Sequence, residues 1–225
     1  MSADDDKRLA AQAAVDLVTD GMVLGLGTGS TAVFFIELLG KRMEAGLKVK
    51  GVPTSDASAQ LARKVGIPLV TLEEHPVLDL DVDGADEVDP ALNLIKGGGG
   101  ALLHEKIVAA ASKQVVIIVD EKKLVERLGK FKLPVEVIPF ARGSVEKTLQ
   151  EMGATVAIRM KDGNIFHTDE NNIILDCDFG LIDDCCSLSQ KLNGVPGVVE
   201  HGLFVNLAER VIIGANNQTK ILKKP

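Results

Sequence analysis

Val115-Val116-Ile117-Ile118-Val119 is an unbroken β-branched run that offers no polar position to water. A strand of that kind is buried on both faces, the condition of a parallel strand covered by helices on either side. Other short apolar runs alternate with helix-length segments along the first half of the chain. Strands are expected over 22–26, 49–53 and 78–82, and helices over 31–45, 57–65 and 102–111, after a first helix capped by Ser2 and ending at Gly21. This alternation implies a parallel sheet wrapped by helices, with ligands taken at the carboxyl ends of the strands. Trp and Tyr are absent, so the core falls to Val, Ile, Leu and Ala.

From about Phe131 the texture changes. Strands are expected over 133–138, 155–159 and 172–177, helices over 144–152 and 188–192, an extended segment over 197–200, and a hairpin turn at Asp162-Gly163-Asn164. Strand, helix, strand, strand, helix, strand is the order of a ferredoxin-like unit. Phe204-Val205 and Val211-Ile212-Ile213 again resemble core strands of the first part, so the chain is expected to return there. The expectation is an α/β protein with a Rossmann-like domain at 1–130 and 202–225 and a smaller α+β ferredoxin-like domain inserted at 131–201.

A chain of 225 residues, 46% hydrophobic, can bury a substantial core in one or two domains. Its formal net charge of -7 argues against a general nucleic-acid surface, so an anionic ligand must meet a local positive site. Cys177, Cys185 and Cys186 are odd in number and lack CxxC spacing, which indicates neither a disulfide framework nor zinc and fits a reducing, cytoplasmic setting. The acidic start lacks the pattern of a signal peptide, and no apolar run reaches the ~20 residues needed to span a bilayer, so a soluble protein is expected.

Gly27-Thr28-Gly29-Ser30-Thr31 lies between a strand and a helix, where unpaired N–H groups and the helix dipole attract a phosphate. An ordinary N-capped turn is the plain alternative. A dinucleotide loop is the other, but the next strand ends in Pro53-Thr54-Ser55 without the acid that would hold a ribose. Asp83 and Asp86 follow an apolar strand at the ligand-facing edge, while Glu87 and Asp89, further along, are expected to face water as charge runs usually do. A calcium loop would need a distal Glu and flanking helices that this spacing lacks. Lys96 precedes Gly97-Gly98-Gly99-Gly100, and Glu105 opens the next helix. Val108 stands where a zinc motif starting at His104 would need its second histidine, so no metal is expected. The scattered His75, His167 and His201 read as ordinary polar residues, and at least one lysine of Asp120-Glu121-Lys122-Lys123 should reach the same sheet edge.

These segments, in this order and together with Gly194-Val195-Pro196-Gly197 and Glu200-His201-Gly202-Leu203-Phe204, resemble the type A ribose-5-phosphate isomerase family over nearly the whole chain. The resemblance implies that Thr28, Gly29, Ser30, Thr31 and Lys123 bind the substrate and its phosphate, with Lys7 a further candidate. It also implies that Asp83, Gly84, Ala85, Asp86, Lys96, Gly97, Gly98 and Gly99 surround the reacting end of a small sugar phosphate, and that Glu105 is the base. His104 stands where the family usually shows Arg. The implied chemistry needs no metal or organic cofactor, because the sugar's carbonyl acidifies the neighbouring C–H. The family further implies a homodimer or homotetramer. A sugar-phosphate sensing domain without catalysis is the alternative from another class, and an amino-sugar phosphate isomerase or a CoA transferase is a third.

Overall fold

The structure is a computed structural model that describes residues 3–224. In chain order its first half runs α1 (Ala3–Val15), β1 (Val23–Leu26), α2 (Ser30–Glu44), β2 (Lys50–Pro53), α3 (Asp56–Lys64), β3 (Leu80–Asp83), β4 (Glu87–Val88), β5 (Leu94–Ile95), α4 (Leu102–Ala110) and β6 (Val115–Asp120). A 3-10 turn (Glu121–Lys123) follows. The second half runs β7 (Leu133–Val137), α5 (Arg142–Glu151), β8 (Thr155–Ile158), β9 (Met160–Lys161), β10 (Asn164–Ile165), β11 (Ile173–Asp178), α6 (Cys185–Asn193), β12 (Val198–His201), β13 (Leu203–Phe204), β14 (Arg210–Ala215) and β15 (Gln218–Lys223).

The chain divides into two compact units. One comprises Met1–Ala85, His104–Lys123 and Asn206–Pro225; the other comprises Asp86–Leu103 and Leu124–Val205.

The first unit is built on a six-stranded sheet of order β15-β14-β6-β3-β1-β2. The pairs β14–β6, β6–β3, β3–β1 and β1–β2 are parallel, and β15 closes the edge as an antiparallel hairpin partner of β14. Every residue of β6 is buried, as its unbroken β-branched run requires. Leu24, Leu26, Phe35, Ile36, Leu39, Val82 and Val116 pack together in the core beneath α1 and α2. Lysines on the exposed edge strand β15 discourage further strand addition. Helix α1 stops at Val15, earlier than Gly21, where Arg42 Nη1 takes the Val15 carbonyl at 2.8 Å. The expected Ser2 cap lies outside the described residues.

The second unit carries a four-stranded antiparallel sheet of order β12-β7-β11-β8, backed by α5 and α6, which is the ferredoxin-like order. The hairpin turn falls at Asp162 and Gly163, both at positive φ between β9 and β10. Phe204 corrects one expectation: it joins a three-stranded sheet of order β13-β5-β4, not the large parallel sheet. Among the described residues no helix is long and apolar enough to cross a membrane.

Candidate active site

Strand order places the first unit's functional segments. The chain leaves β1 toward β2 on one side, and later returns to the other side of β1 as β3. That reversal opens a crevice beyond the carboxyl ends of β1 and β3, the usual place for a ligand in an open α/β sheet. The Thr28 turn and Asp83 both sit there. Asp83 is fully buried, and its Oδ1 accepts Thr28 N–H at 3.0 Å and Gly84 N–H at 2.7 Å. Two backbone donors on one oxygen offset the desolvation of a buried carboxylate and hold the turn after β1 to the end of β3.

The space for this contact exists because position 27 has no side chain. A Cβ there would lie 2.2 Å from Asp83 Oδ1 and 2.6 Å from Asp83 Cα. Gly25 makes the same allowance for Asp81, two residues earlier on the same face of β3 and equally buried. Around Thr28 is a group of hydroxyls. Thr28 Oγ1 lies 2.7 Å from Thr54 Oγ1, 2.8 Å from Ser55 Oγ and 3.1 Å from Ser58 Oγ, and Ser58 Oγ donates to Gly27 O at 2.7 Å. Gly29 and Ser30 are exposed, and Thr31 is buried in the first turn of α2. Exposed backbone N–H groups and a hydroxyl at a helix start can receive an anion's oxygens.

Glu105 occupies the first turn of α4, 3% exposed, with His104 half-buried beside it. Lys123 ends the 3-10 turn after β6, a turn held by Lys122 N–H donating to Asp120 Oδ1 at 3.0 Å. Lys7 lies on α1 with its Nζ 3.4 Å from Asp4 Oδ1.

In the second unit, Asp86 Oδ2 accepts Gly98 N–H at 2.7 Å, and Gly98 and Gly99 are exposed. Lys96 is 3% exposed, with its Nζ 5.3 Å from the centre of the Phe204 ring and its N–H donating to Gly202 O at 2.9 Å. Glu87 corrects the expectation of a solvated acid. It is buried, and its carboxylate accepts Gly129 N–H at 2.7 Å and Phe131 N–H at 2.6 Å. His201 is buried as well, with Leu203 N–H donating to its Nδ1 at 3.2 Å and Asn193 Oδ1 3.1 Å from its Nε2. Burial pushes the Cys177 thiol up to about 12 and the Cys185 thiol up to about 11, so both stay protonated and unreactive near neutral pH.

Sequence reading missed Asp81, the Thr54, Ser55 and Ser58 hydroxyls, and the burial of Glu87. An acid at every second position of an apolar strand was the available signal for Asp81. In Pro53-Thr54-Ser55 the hydroxyls look no different from an ordinary helix cap, since their partner Thr28 lies more than 25 residues away.

The family model of ribose 5-phosphate isomerase A (phosphoriboisomerase A) matches residues 50–218. The chain belongs to the ribose-5-phosphate isomerase A family. Ribose-5-phosphate isomerase A of Methanothermobacter thermautotrophicus is 54% identical over 221 residues, covering 96% of this chain and 97% of its own. That of Rhodopseudomonas palustris strain BisA53 is 51% identical over 232 residues, covering 100% and 96%. Among solved structures, ribose 5-phosphate isomerase A from Methanocaldococcus jannaschii superposes with a TM-score of 0.95 at 48% identity, covering 99% of this chain and all of that one. A D-ribose-5-phosphate isomerase in complex with phospho-erythronic acid gives 0.96 at 41% identity, covering 99% and 100%. The α/β fold of this chain is thus that of the isomerase A structures.

Proposed function

We propose that this chain is an aldose-ketose isomerase that interconverts D-ribose 5-phosphate and D-ribulose 5-phosphate, a step of the non-oxidative pentose phosphate pathway. The observation that carries this reading is identity above one half, over nearly the full length, to a ribose-5-phosphate isomerase A. The ligand of the solved relative fits the same chemistry. Phospho-erythronic acid is a phosphorylated four-carbon acid, and its planar carboxylate resembles the two oxygens of an enediolate.

In this reading the phosphate is held by the Gly29, Ser30 and Thr31 end of the turn with Thr28, and by the cations Lys123 and Lys7. Remote binding energy of this kind aligns the reacting carbons. Asp83, Asp86 and Lys96 share the acid and base work of opening the furanose, with Gly84, Ala85 and the 97–99 backbone lining the sugar. Glu105 then takes the proton from C2 and returns it to C1 through a cis-enediolate, while the hydroxyl proton on O2 passes to O1. Burial of Glu105 supports that role, because a carboxylate shielded from water can act directly on carbon acids. Lys96, also buried, supplies positive charge to the developing enediolate. We propose further that the chain works in the cytoplasm as a homodimer or homotetramer.

Ribose 5-phosphate incubated with the protein and EDTA should yield ketose; no ketose would defeat the assignment. Glu105→Gln should lower kcat by about 10³-fold or more while ribose 5-phosphate binding stays within about tenfold. Near-normal turnover in that variant would remove Glu105 from the reaction.

A further inference from the structure

Arg159 has no part in the chemistry above, yet its side chain reaches the glycine segment after Lys96. It follows β8, with its backbone fixed by donation to Ile174 O at 2.8 Å and by acceptance from Phe166 N–H at 2.9 Å. Its side chain is 13% exposed, and the guanidinium divides its donors. Nε donates to Asp176 Oδ2 at 3.0 Å, and Nη2 donates to Asp176 Oδ1. Nη1 reaches the next two carbonyls of the loop, Gly97 O at 2.7 Å and Gly98 O at 3.3 Å.

The peptide joining Gly97 to Gly98 is therefore gripped at both ends. Its carbonyl oxygen accepts from Arg159, and its N–H donates to Asp86 Oδ2 at 2.7 Å. Between two glycines a peptide plane turns over at little steric cost. Turned over, it would aim a carbonyl at the Asp86 carboxylate and leave Arg159 facing an N–H. Only a planar cation with several fixed donors can hold a carboxylate and two carbonyls together, which a lysine ammonium cannot reproduce.

From this geometry we infer that Arg159, braced by Asp176, is a positioning residue that fixes the Gly97–Gly98 peptide and, through its N–H, the carboxylate of Asp86. The inference rests on the proposed role of Asp86 at the sugar. A second arginine–aspartate pair in the same unit, Arg127 with Asp183, is exposed and serves as the control.

The test compares Arg159→Lys, Arg127→Lys and the unaltered protein by steady-state kinetics with ribose 5-phosphate, by thermal melting, and by hydrogen exchange of the Gly98 amide without substrate. For Arg159→Lys, kcat should fall about 10- to 100-fold with KM within about threefold, and Gly98 exchange should rise about tenfold or more. Arg127→Lys should match the unaltered protein in all three. Guanidinium ion added to Arg159→Gly should restore part of the lost kcat together with part of the lost Gly98 protection. Should Arg159→Lys fail to fold, Asp176→Asn reads the same effect, with kcat down severalfold and Gly98 exchange raised. A lowered melting temperature with kcat per folded molecule unchanged would overturn the inference, as would unaltered Gly98 exchange. If the unaltered protein makes no ketose, the proposed function fails, and Gly98 exchange alone then decides the grip of Arg159.

Discussion

The two glycine segments of this chain look alike in sequence and are held in opposite ways. The turn at Gly27 in the first unit is fixed across neighbouring parallel strands: Asp83 at the end of β3 takes the Thr28 and Gly84 N–H groups, and hydroxyls of Thr54, Ser55 and Ser58 close around Thr28. The 97–100 segment of the second unit is fixed by two charged side chains, the Asp86 carboxylate on one side and the Arg159 guanidinium on the other. Missing side chains serve close backbone approach in the first case. In the second they also leave a peptide between two glycines that charged groups hold in place. A substitution should therefore be costly in stability at the first site, and costly mainly in turnover at the second.

The most severe test is Gly27→Ala. The new Cβ would meet not only a carboxylate oxygen at 2.2 Å but Asp83 Cα at 2.6 Å, and a strand backbone between two neighbours cannot retreat. Overpacking of this kind costs about 1–3 kcal/mol or more, read as a lower midpoint in denaturant. Because Asp83 is displaced with it, kcat/KM should fall about 100-fold. A variant of normal stability would erase the distinction between the two segments.

Gly98→Ala should behave differently. Its Cβ would lie 2.7 Å from Asp86 Oδ1, but that atom is the end of a side chain that can swing, and Gly98 is exposed. Unfolding free energy should stay within about 0.5 kcal/mol of the parent, as for most surface changes. Turnover should fall about tenfold, since Asp86 loses its place near the sugar. Loss of stability with full activity would show that the second loop is a packing element instead.

The same contrast explains what could be read in the chain beforehand. Five strands of the large sheet were legible as short apolar runs, and β6 leaves no alternative to full burial, but the edge strand β15 was not, because its exposed, largely polar residues form no apolar run. The ferredoxin-like order was legible from the succession of elements alone. Strands β4, β5 and β13 were not, since two residues carry no period, and Phe204 was accordingly assigned to the wrong sheet. Site residues at strand ends also emerged: Thr28, Asp83 and Gly84 each follow an apolar run that ends at the ligand-facing edge, and one carboxylate oxygen joins them. Remote contacts that no strand end marks in the sequence stayed hidden. Glu87 looked like part of a solvated acidic run because its partners, the N–H groups of Gly129 and Phe131, lie more than 40 residues away. Arg159 was silent for the same reason, its carbonyl partners being on the far side of β7 and α5 in sequence.

The smallest effect is expected where the first unit repeats its device at a site with no chemistry. Asp79, just before β3, accepts Val23 N–H at 2.9 Å at the start of β1, as Asp83 accepts Thr28 N–H after its end. The Lys113 ammonium, hydrogen-bonded to Asp79 Oδ1 at 2.9 Å, and then the Val23 N–H hold the Asp79 carboxyl below its usual range. A carboxyl lowered in the folded state contributes stability above its unfolded value, about 3.9, and loses that contribution as pH falls through its folded value. Asp79→Asn should thus lower the melting temperature by no more than about 4 °C at neutral pH, and the gap should close in acid below about pH 4. Lys113 is 63% exposed, so part of the gap should also close with added salt. Isomerase activity should be unchanged, because Asp79 sits at the opposite end of β1 from the Thr28 turn. A gap that widened in acid would mean that the carboxylate is held less well folded than unfolded, and the parallel drawn between Asp79 and Asp83 as anchors of one strand would fail.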